Sequence, residues 1–224
     1  MLFRSLAAAF VDPALGWLAA MGARVRLGRR LRGLEVENGR VARLRFGDDT
    51  VEVAPGEPVV LAVPSWTATD LLPGLSAPDA FRAIVNAHFR MAPPAGAPPI
   101  LGLVGGVAEW VFSFPDRVSV TISAADRLVD QDRATLAAKI WSDVRSALKL
   151  PEDAPLPPWQ VVKEKRATFA ATPEQDRRRP GAATALANLW LAGDWTQTGL
   201  PATIEGALRS GAGAAELARR IELV

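Results

Sequence analysis

Cysteine and tyrosine are both absent from the 224 residues, and histidine occurs once, at His88. The first absence excludes disulfides, thiolate nucleophiles and cysteine-bound metals. The second removes phenolic acid catalysis, and a single imidazole cannot build a multi-histidine metal site. A Ser-His-Asp triad on His88 stays arithmetically open, yet no G-x-S-x-G elbow is there to present its nucleophile. His88 lies in the alternating run Ile84-Val85-Asn86-Ala87-His88-Phe89, which predicts a strand. A hydrogen-bonded strand histidine is therefore expected ahead of a catalytic one.

Long apolar runs are also missing. No stretch reaches the roughly 18 residues that span a bilayer, and the longest candidate, 98–112, is broken by Gly105-Gly106 and Glu109. Met1 to Phe10 superficially resembles a signal peptide, but it has one early cation and no convincing cleavage site. A cytoplasmic location is expected, with peripheral contact to the inner membrane left open. Charge is close to balanced, at +2, with a pI of 9.5. The densest cationic run, Arg177-Arg178-Arg179, has no interleaved aromatics and no flanking binding motif. It predicts a solvated loop and no nucleic-acid partner.

What is present reads as a mixed chain. Hydrophobic residues at 49% and charged residues at 22% fit an ordinary folded protein, large enough for one big domain or two small ones. Residues 13–22 predict a helix, with Asp12 as cap, Pro13 in the first turn and Gly22 at the end. Val25-Arg26-Leu27 predicts a short strand. Three alternating segments, 31–37, 40–46 and 50–53, predict a meander, with Asn38-Gly39 marking its first hairpin turn. The aliphatic run Val59 to Val63 suits a strand buried on both faces of a parallel sheet. Further on come a helix at 66–72 and strands at 84–90, 100–104, 109–114 and 118–123. A long helix follows at 132–149, with Leu136, Ile140, Val144 and Leu148 at helical spacing, and then a strand at 161–167. The pattern is an α/β domain, residues 1–64 and 176–224, carrying a mixed α+β insertion at 65–175.

The most informative stretch closes the chain. An apolar strand, Asn188 to Ala192, runs into Gly193-Asp194 and a short loop. A helix is expected to start near Pro201, burying Ile204, Ala207, Leu208, Gly211, Ala215 and Ala218. Its first free N–H groups, around Ala202 to Ile204, would present positive partial charge to a carbonyl, a phosphate or a reduced flavin. Spacing alone leaves a second reading equally open: a capped helix packed on a strand, with Asp194 a turn residue.

Leu-Ala-Gly-Asp-Trp-Thr at 191–196, Gly-Leu-Pro-Ala-Thr-Ile-Glu-Gly-Ala at 199–207 and Ser-Gly at 210–211 resemble the C-terminal flavin signature of carotenoid-desaturase-like amine oxidases. The resemblance implies an FAD-dependent oxidoreductase with FAD as cofactor. It places Gly193 and Asp194 at the ribityl–pyrophosphate stretch, and the backbone of Ala202, Thr203 and Ile204 at the flavin ring. Upstream, residues 10–15, 22–28, 61–64, 84–88 and 164–169 look like the squalene-associated branch, the hydroxysqualene dehydroxylases of squalene and hopanoid synthesis. That branch implies an isoprenoid lipid substrate, with Trp110, Phe112 and Phe114 as pocket or core residues and no assigned acid or base. The family opens with a G-x-G-x-x-G βαβ unit for the FAD pyrophosphate, and nothing here resembles it. The chain is therefore expected to be the C-terminal portion of a two-domain FAD-linked reductase fold. It would be a fragment, a truncated reading frame or half of a split enzyme, completed by an N-terminal half in trans or by self-association. The alternatives are a phytoene-type desaturase, an amine oxidase, or a non-catalytic lipid-binding or complex-forming subunit.

Overall fold

The computed structural model describes residues 7–220. Residues 1–6, the start of the leader-like stretch, and residues 221–224 lie outside the described residues. A π-helical turn, Ala7–Val11, leads into helix α1, Asp12–Ala20. Asp12 therefore sits inside the first turn and does not cap, and no residue of α1 is buried. The strand expected at 25–27 is absent: residues 23–27 follow an irregular path, and no strand among the described residues pairs with them.

The meander forms as its turns dictate. Strands β1 (Gly33–Glu37), β2 (Arg40–Phe46) and β3 (Asp49–Glu52) pair antiparallel in that order. Asn38 and Gly39 both take positive φ, 50° and 74°, as the tight hairpin turn requires. Beneath it, β4 (Val59–Leu61) pairs in parallel with β10 (Leu189–Leu191), residue for residue from Val59↔Leu189 to Leu61↔Leu191. Buried Asn188 fastens the two layers. Its amide donates to the Val41 and Glu57 carbonyls at 3.0 and 3.1 Å, and its carbonyl accepts from Val41 N–H at 2.8 Å.

Helix α2 (Ser65–Leu71) leads to an antiparallel sheet of five strands in the order β6-β7-β8-β5-β9. These are Ile100–Gly102, Trp110–Phe114, Arg117–Ile122, Phe81–Phe89 and Trp159–Phe169. Helix α3 (Arg133–Ala147) is capped by Asp132, which accepts from Thr135 N–H at 2.9 Å. It buries Leu136, Ile140, Trp141 and Val144 against Val85, Ala87, Phe89, Val118, Val120 and Ile122. Because strand side chains alternate, the opposite face carries Ile84, Asn86, His88, Trp110, Phe112, Ser119, Thr121 and Val162. Short helix α4 (Pro173–Arg177) returns the chain to the parallel pair, and helix α5 (Ile204–Arg219) closes it.

Candidate functional site

The segment between β10 and α5 leaves the carboxyl end of a parallel strand, where open α/β sheets place their ligand crevices. Its geometry starts at Gly193, whose φ of +147° lies outside the range of ordinary L residues. A Cβ there would also stand 2.4 Å from the Trp195 indole nitrogen. Glycine is required because the indole folds back under the strand end, where its N–H donates to the Val63 carbonyl at 2.8 Å. The loop is thereby held across the ends of both parallel strands.

Helix α5 grips the same loop. Ser210 Oγ accepts from Gly193 N–H at 3.0 Å and meets Thr196 Oγ1 at 2.6 Å, and Thr196 Oγ1 donates to the Gly193 carbonyl at 2.9 Å. The helix packs through a stripe of small residues spaced by four: Gly206, Ser210, Ala214 and Ala218. The face expected from apolar periodicity is the wrong one, since Ile204 and Leu208 are 52% and 55% exposed. Of the expected buried set, only Ala218 lies in the buried stripe.

The start of α5 is also later than Pro201. Thr203 is the cap, extended at φ −142°, and its Oγ1 accepts from Gly206 N–H at 3.0 Å. Pro201 instead offers its carbonyl to the Thr203 hydroxyl at 3.2 Å. A side-chain cap outweighs proline's preference for the first turn. Ala202 thus packs against the core next to the loop and precedes the helix. The first amides without helical acceptors are those of Ile204 and Glu205.

Asp194 is half-buried, and burial pushes its carboxyl above the usual carboxylate range. Its own N–H, the Trp195 N–H and the charge of Arg179 pull it back down. No side chain among the described residues hydrogen-bonds this carboxylate. A half-buried carboxylate without a side-chain partner and a helix start with unused donors therefore flank one loop. They suit a ligand with hydroxyls at one point and electron-rich carbonyls at another. The ribityl chain and pyrimidine edge of FAD meet both demands.

Arg179 is the residue at this loop that sequence reasoning missed. Placed in a solvated run, it is instead buried, its side chain 4% exposed, with its guanidinium 5.0 Å from the Phe169 ring and its donors on the loop. Nothing in a run of three arginines marks which one turns inward. At the same end of the large sheet, Trp66 and Phe81 pack edge to face at 5.1 Å, with Arg166 above Trp66.

His88 belongs to the other end. Its Nδ1 lies 2.9 Å from Ser119 Oγ, and burial, then the charge of Arg117, push its pKa down. It lies seven residue steps along β5 from Phe81, about 23 Å, so the fold does not bring it to the Gly193–Asp194 loop. Trp110, Phe112 and Phe114 stand on the sheet face opposite α3 and not in the core beneath it; Trp110 is 48% exposed. A cleft of about 590 Å³ lined by Leu34, Val36, Leu72, Leu75 and Leu186 lies beside the meander and includes no residue of the loop.

A sequence profile of flavin containing amine oxidoreductases matches residues 3–218. The hydroxysqualene dehydroxylase of Rhodopseudomonas palustris is 55% identical over 213 residues, covering 95% of this chain and 50% of its own. That of Zymomonas mobilis is 48% identical over 216 residues, covering 96% and 52%. The chain thus spans about half the length of the curated relatives it matches. Among solved structures, a putative protoporphyrinogen oxidase from Exiguobacterium sp. superposes with a TM-score of 0.67 at 15% identity, over 95% of this chain and 51% of that one. An oxidoreductase from Methanosarcina mazei gives 0.61 at 15% identity, over 92% and 53%. These two likenesses concern the fold alone. The profile match runs from the N-terminal helix through the Gly-Asp loop to the end of α5, and on it the chain belongs to the flavin-containing amine oxidoreductase family.

Proposed function

We propose that this chain is the ring-holding half of an FAD-dependent hydroxysqualene dehydroxylase, a reductive enzyme of isoprenoid lipid synthesis. The observation that carries this reading is the 55% identity maintained over 213 residues with a protein of that name. Residues 1–64 and 176–224 would form the partial FAD-binding domain, and residues 65–175 the substrate domain. The other half, which relatives carry beyond the matched region, would bring the phosphate-binding glycine turn, in the same polypeptide or in trans.

Reduced FAD, when bound, supplies a hydride and a proton, so that hydroxysqualene becomes squalene and water while FAD is left oxidised. The chain's own residues bind and shield. The Asp194 carboxylate accepts hydrogen bonds from the ribityl hydroxyls, with Gly193 and Ala202 allowing the close approach. The first amides of α5, set by the Thr203 cap and beginning at Ile204, face the electron-rich edge of the ring. The uncovered sheet face, with Ile84, Trp110, Phe112 and Val162 around the neutral pairs Asn86–Thr121 and His88–Ser119, is the apolar wall along which the isoprenoid lies, sheltered from water. No helix among the described residues is long and apolar enough to cross a membrane. A water-insoluble substrate would place the working enzyme against the cytoplasmic side of a membrane as a peripheral protein.

The test is to produce this chain together with the glycine-fingerprint half and supply hydroxysqualene and a reductant. Squalene is expected, on a protein with flavin absorption bands. Turnover of phytoene or an amine instead would transfer the assignment to a desaturase or an amine oxidase. A complete, folded protein without flavin bands would leave only a lipid-binding or complex-forming subunit.

A further inference from the structure

Arg179 is a buried charge with two of its three nitrogens spent on one loop. Nε donates to the Thr196 carbonyl at 3.0 Å. Nη2 reaches the Thr196 carbonyl at 2.5 Å, the Asp194 carbonyl at 3.2 Å and Thr198 Oγ1 at 3.0 Å. Nη1 takes the exposed carboxylate of Asp176 at 3.1 Å. The next residue completes the clamp, since the Pro180 carbonyl accepts Gln197 N–H at 2.8 Å. A planar fork serves two carbonyls, a hydroxyl and a carboxylate at once, one partner more than the three donors of a lysine can meet. A peptide plane whose carbonyl points toward Arg179 turns its N–H the other way. The Asp194–Trp195 peptide is held so, and its N–H faces the Asp194 carboxylate.

We propose that Arg179 is a positioning residue for the flavin: it fixes the peptide planes of residues 194–196 from behind and supplies the positive field in which the half-buried Asp194 carboxylate stays an acceptor. The consequence for flavin binding rests on the ribityl role given to Asp194 above; the clamp on the loop does not. The charges around Asp194 are few. The 176–180 segment brings Arg179 and, beyond it, Asp176; its Arg177 is exposed, and its Arg178 is paired with Asp79 and Glu174. The end of β4 brings the neutral Val63 carbonyl, and the buried stripe of α5 brings Gly206 and Ser210. Glu205, on the first turn of α5, is paired with Arg209. Burial already favours the neutral acid at Asp194, and Arg179 is the one side-chain charge found to oppose it.

Two measurements separate the parts. Hydrogen exchange of the peptide covering 193–199, in the completed protein before flavin is added, should speed up about tenfold or more in both Arg179→Gln and Arg179→Lys, because each loses the fork. In the completed enzyme, FAD affinity should fall by about tenfold in either variant. Only in Arg179→Gln should that loss deepen as pH falls from neutral, as Asp194 takes up a proton. Lysine keeps the charge and should keep the parent's pH profile. Unchanged exchange in Arg179→Lys overturns the clamp, and that variant decides even if Arg179→Gln does not fold. Faster exchange with unchanged FAD affinity overturns the link to flavin. If the parent itself binds no FAD, the proposed function falls while the exchange result still stands.

Discussion

Asp194 is held at a cost that has a definite sign. Its folded pKa is raised above the usual value of 3.8, so between the two values the native state binds more protons than the unfolded chain. Stability is therefore greatest below the unfolded pKa and falls as pH rises through the folded one. Asp194→Asn should make the flavin-free chain more stable at neutral pH, as chemical denaturation would read. Asp194→Ala in the completed enzyme should weaken FAD binding by roughly 1–3 kcal/mol, the loss of a charged acceptor; unchanged affinity in a folded variant would leave Asp194 a turn residue. His88 works in the opposite sense. Its folded pKa is depressed below 6.5, so acidification through that region charges the unfolded chain first and lowers stability. His88→Gln should flatten that slope, and a slope that survives the substitution would assign it to other groups.

At the scale of elements, the two contacts that set the site are a helix cap and a buried amide. Thr203→Ala removes the hydroxyl that accepts Gly206 N–H and should cost about 1 kcal/mol. In the completed enzyme it should also lower the flavin's reduction potential, because a frayed first turn presents its donors less firmly. An equal potential in parent and variant would remove the helix start from the ring's environment. Asn188→Ala would strand two Val41 groups and the Glu57 carbonyl between the meander and the parallel pair. The expected loss is roughly 1–3 kcal/mol, read from the midpoint of urea unfolding, with exchange rising first in β2.

The whole molecule exposes more surface than its size explains. Its accessible area is 13945 Å², against roughly 9,900 Å² for a compact monomer of this mass. The excess, on the order of 4,000 Å² on this chain alone, is as large as the area that both partners together bury in an obligate interface. Much of it is apolar: Trp17 on the first helix, Met21 and Leu27 after it, Val60 on the parallel pair, and Ile204 and Leu208 on α5. A two-strand parallel sheet is itself unusual, since such sheets are normally wider and covered on both faces. The 224-residue polypeptide alone should therefore self-associate and carry no flavin, as light scattering and the visible spectrum would report. Adding the glycine-fingerprint half should replace self-association with a defined, yellow complex. A lone monomer with stoichiometric FAD would overturn this account.

Local chemistry carried much of this protein's plan. The Asn38-Gly39 turn, the aliphatic run at 59–63 and the four-residue spacing of Leu136, Ile140 and Val144 each specify their own element through backbone preference or periodicity. The Gly193-Asp194 signature marked the loop because few residues tolerate that bend. Tertiary structure decided the rest, where elements compete for burial. An apolar stripe on α5 reads as the core face, yet the small face turns inward: Ala214 and Ala218 pack with Trp190 and Ala192, Ser210 bonds the loop and Gly206 lies against Pro201. The strand expected at 25–27 has the right residues and no partner strand among the described residues, and a strand exists only in a ladder. Arg179 looked like its neighbours Arg177 and Arg178; it turns inward because the carbonyls of Asp194 and Thr196, fifteen and seventeen residues away, arrive where its donors can meet them. Propensity is a property of neighbours in sequence, whereas burial and partnership are properties of neighbours in space, which only the folded chain defines.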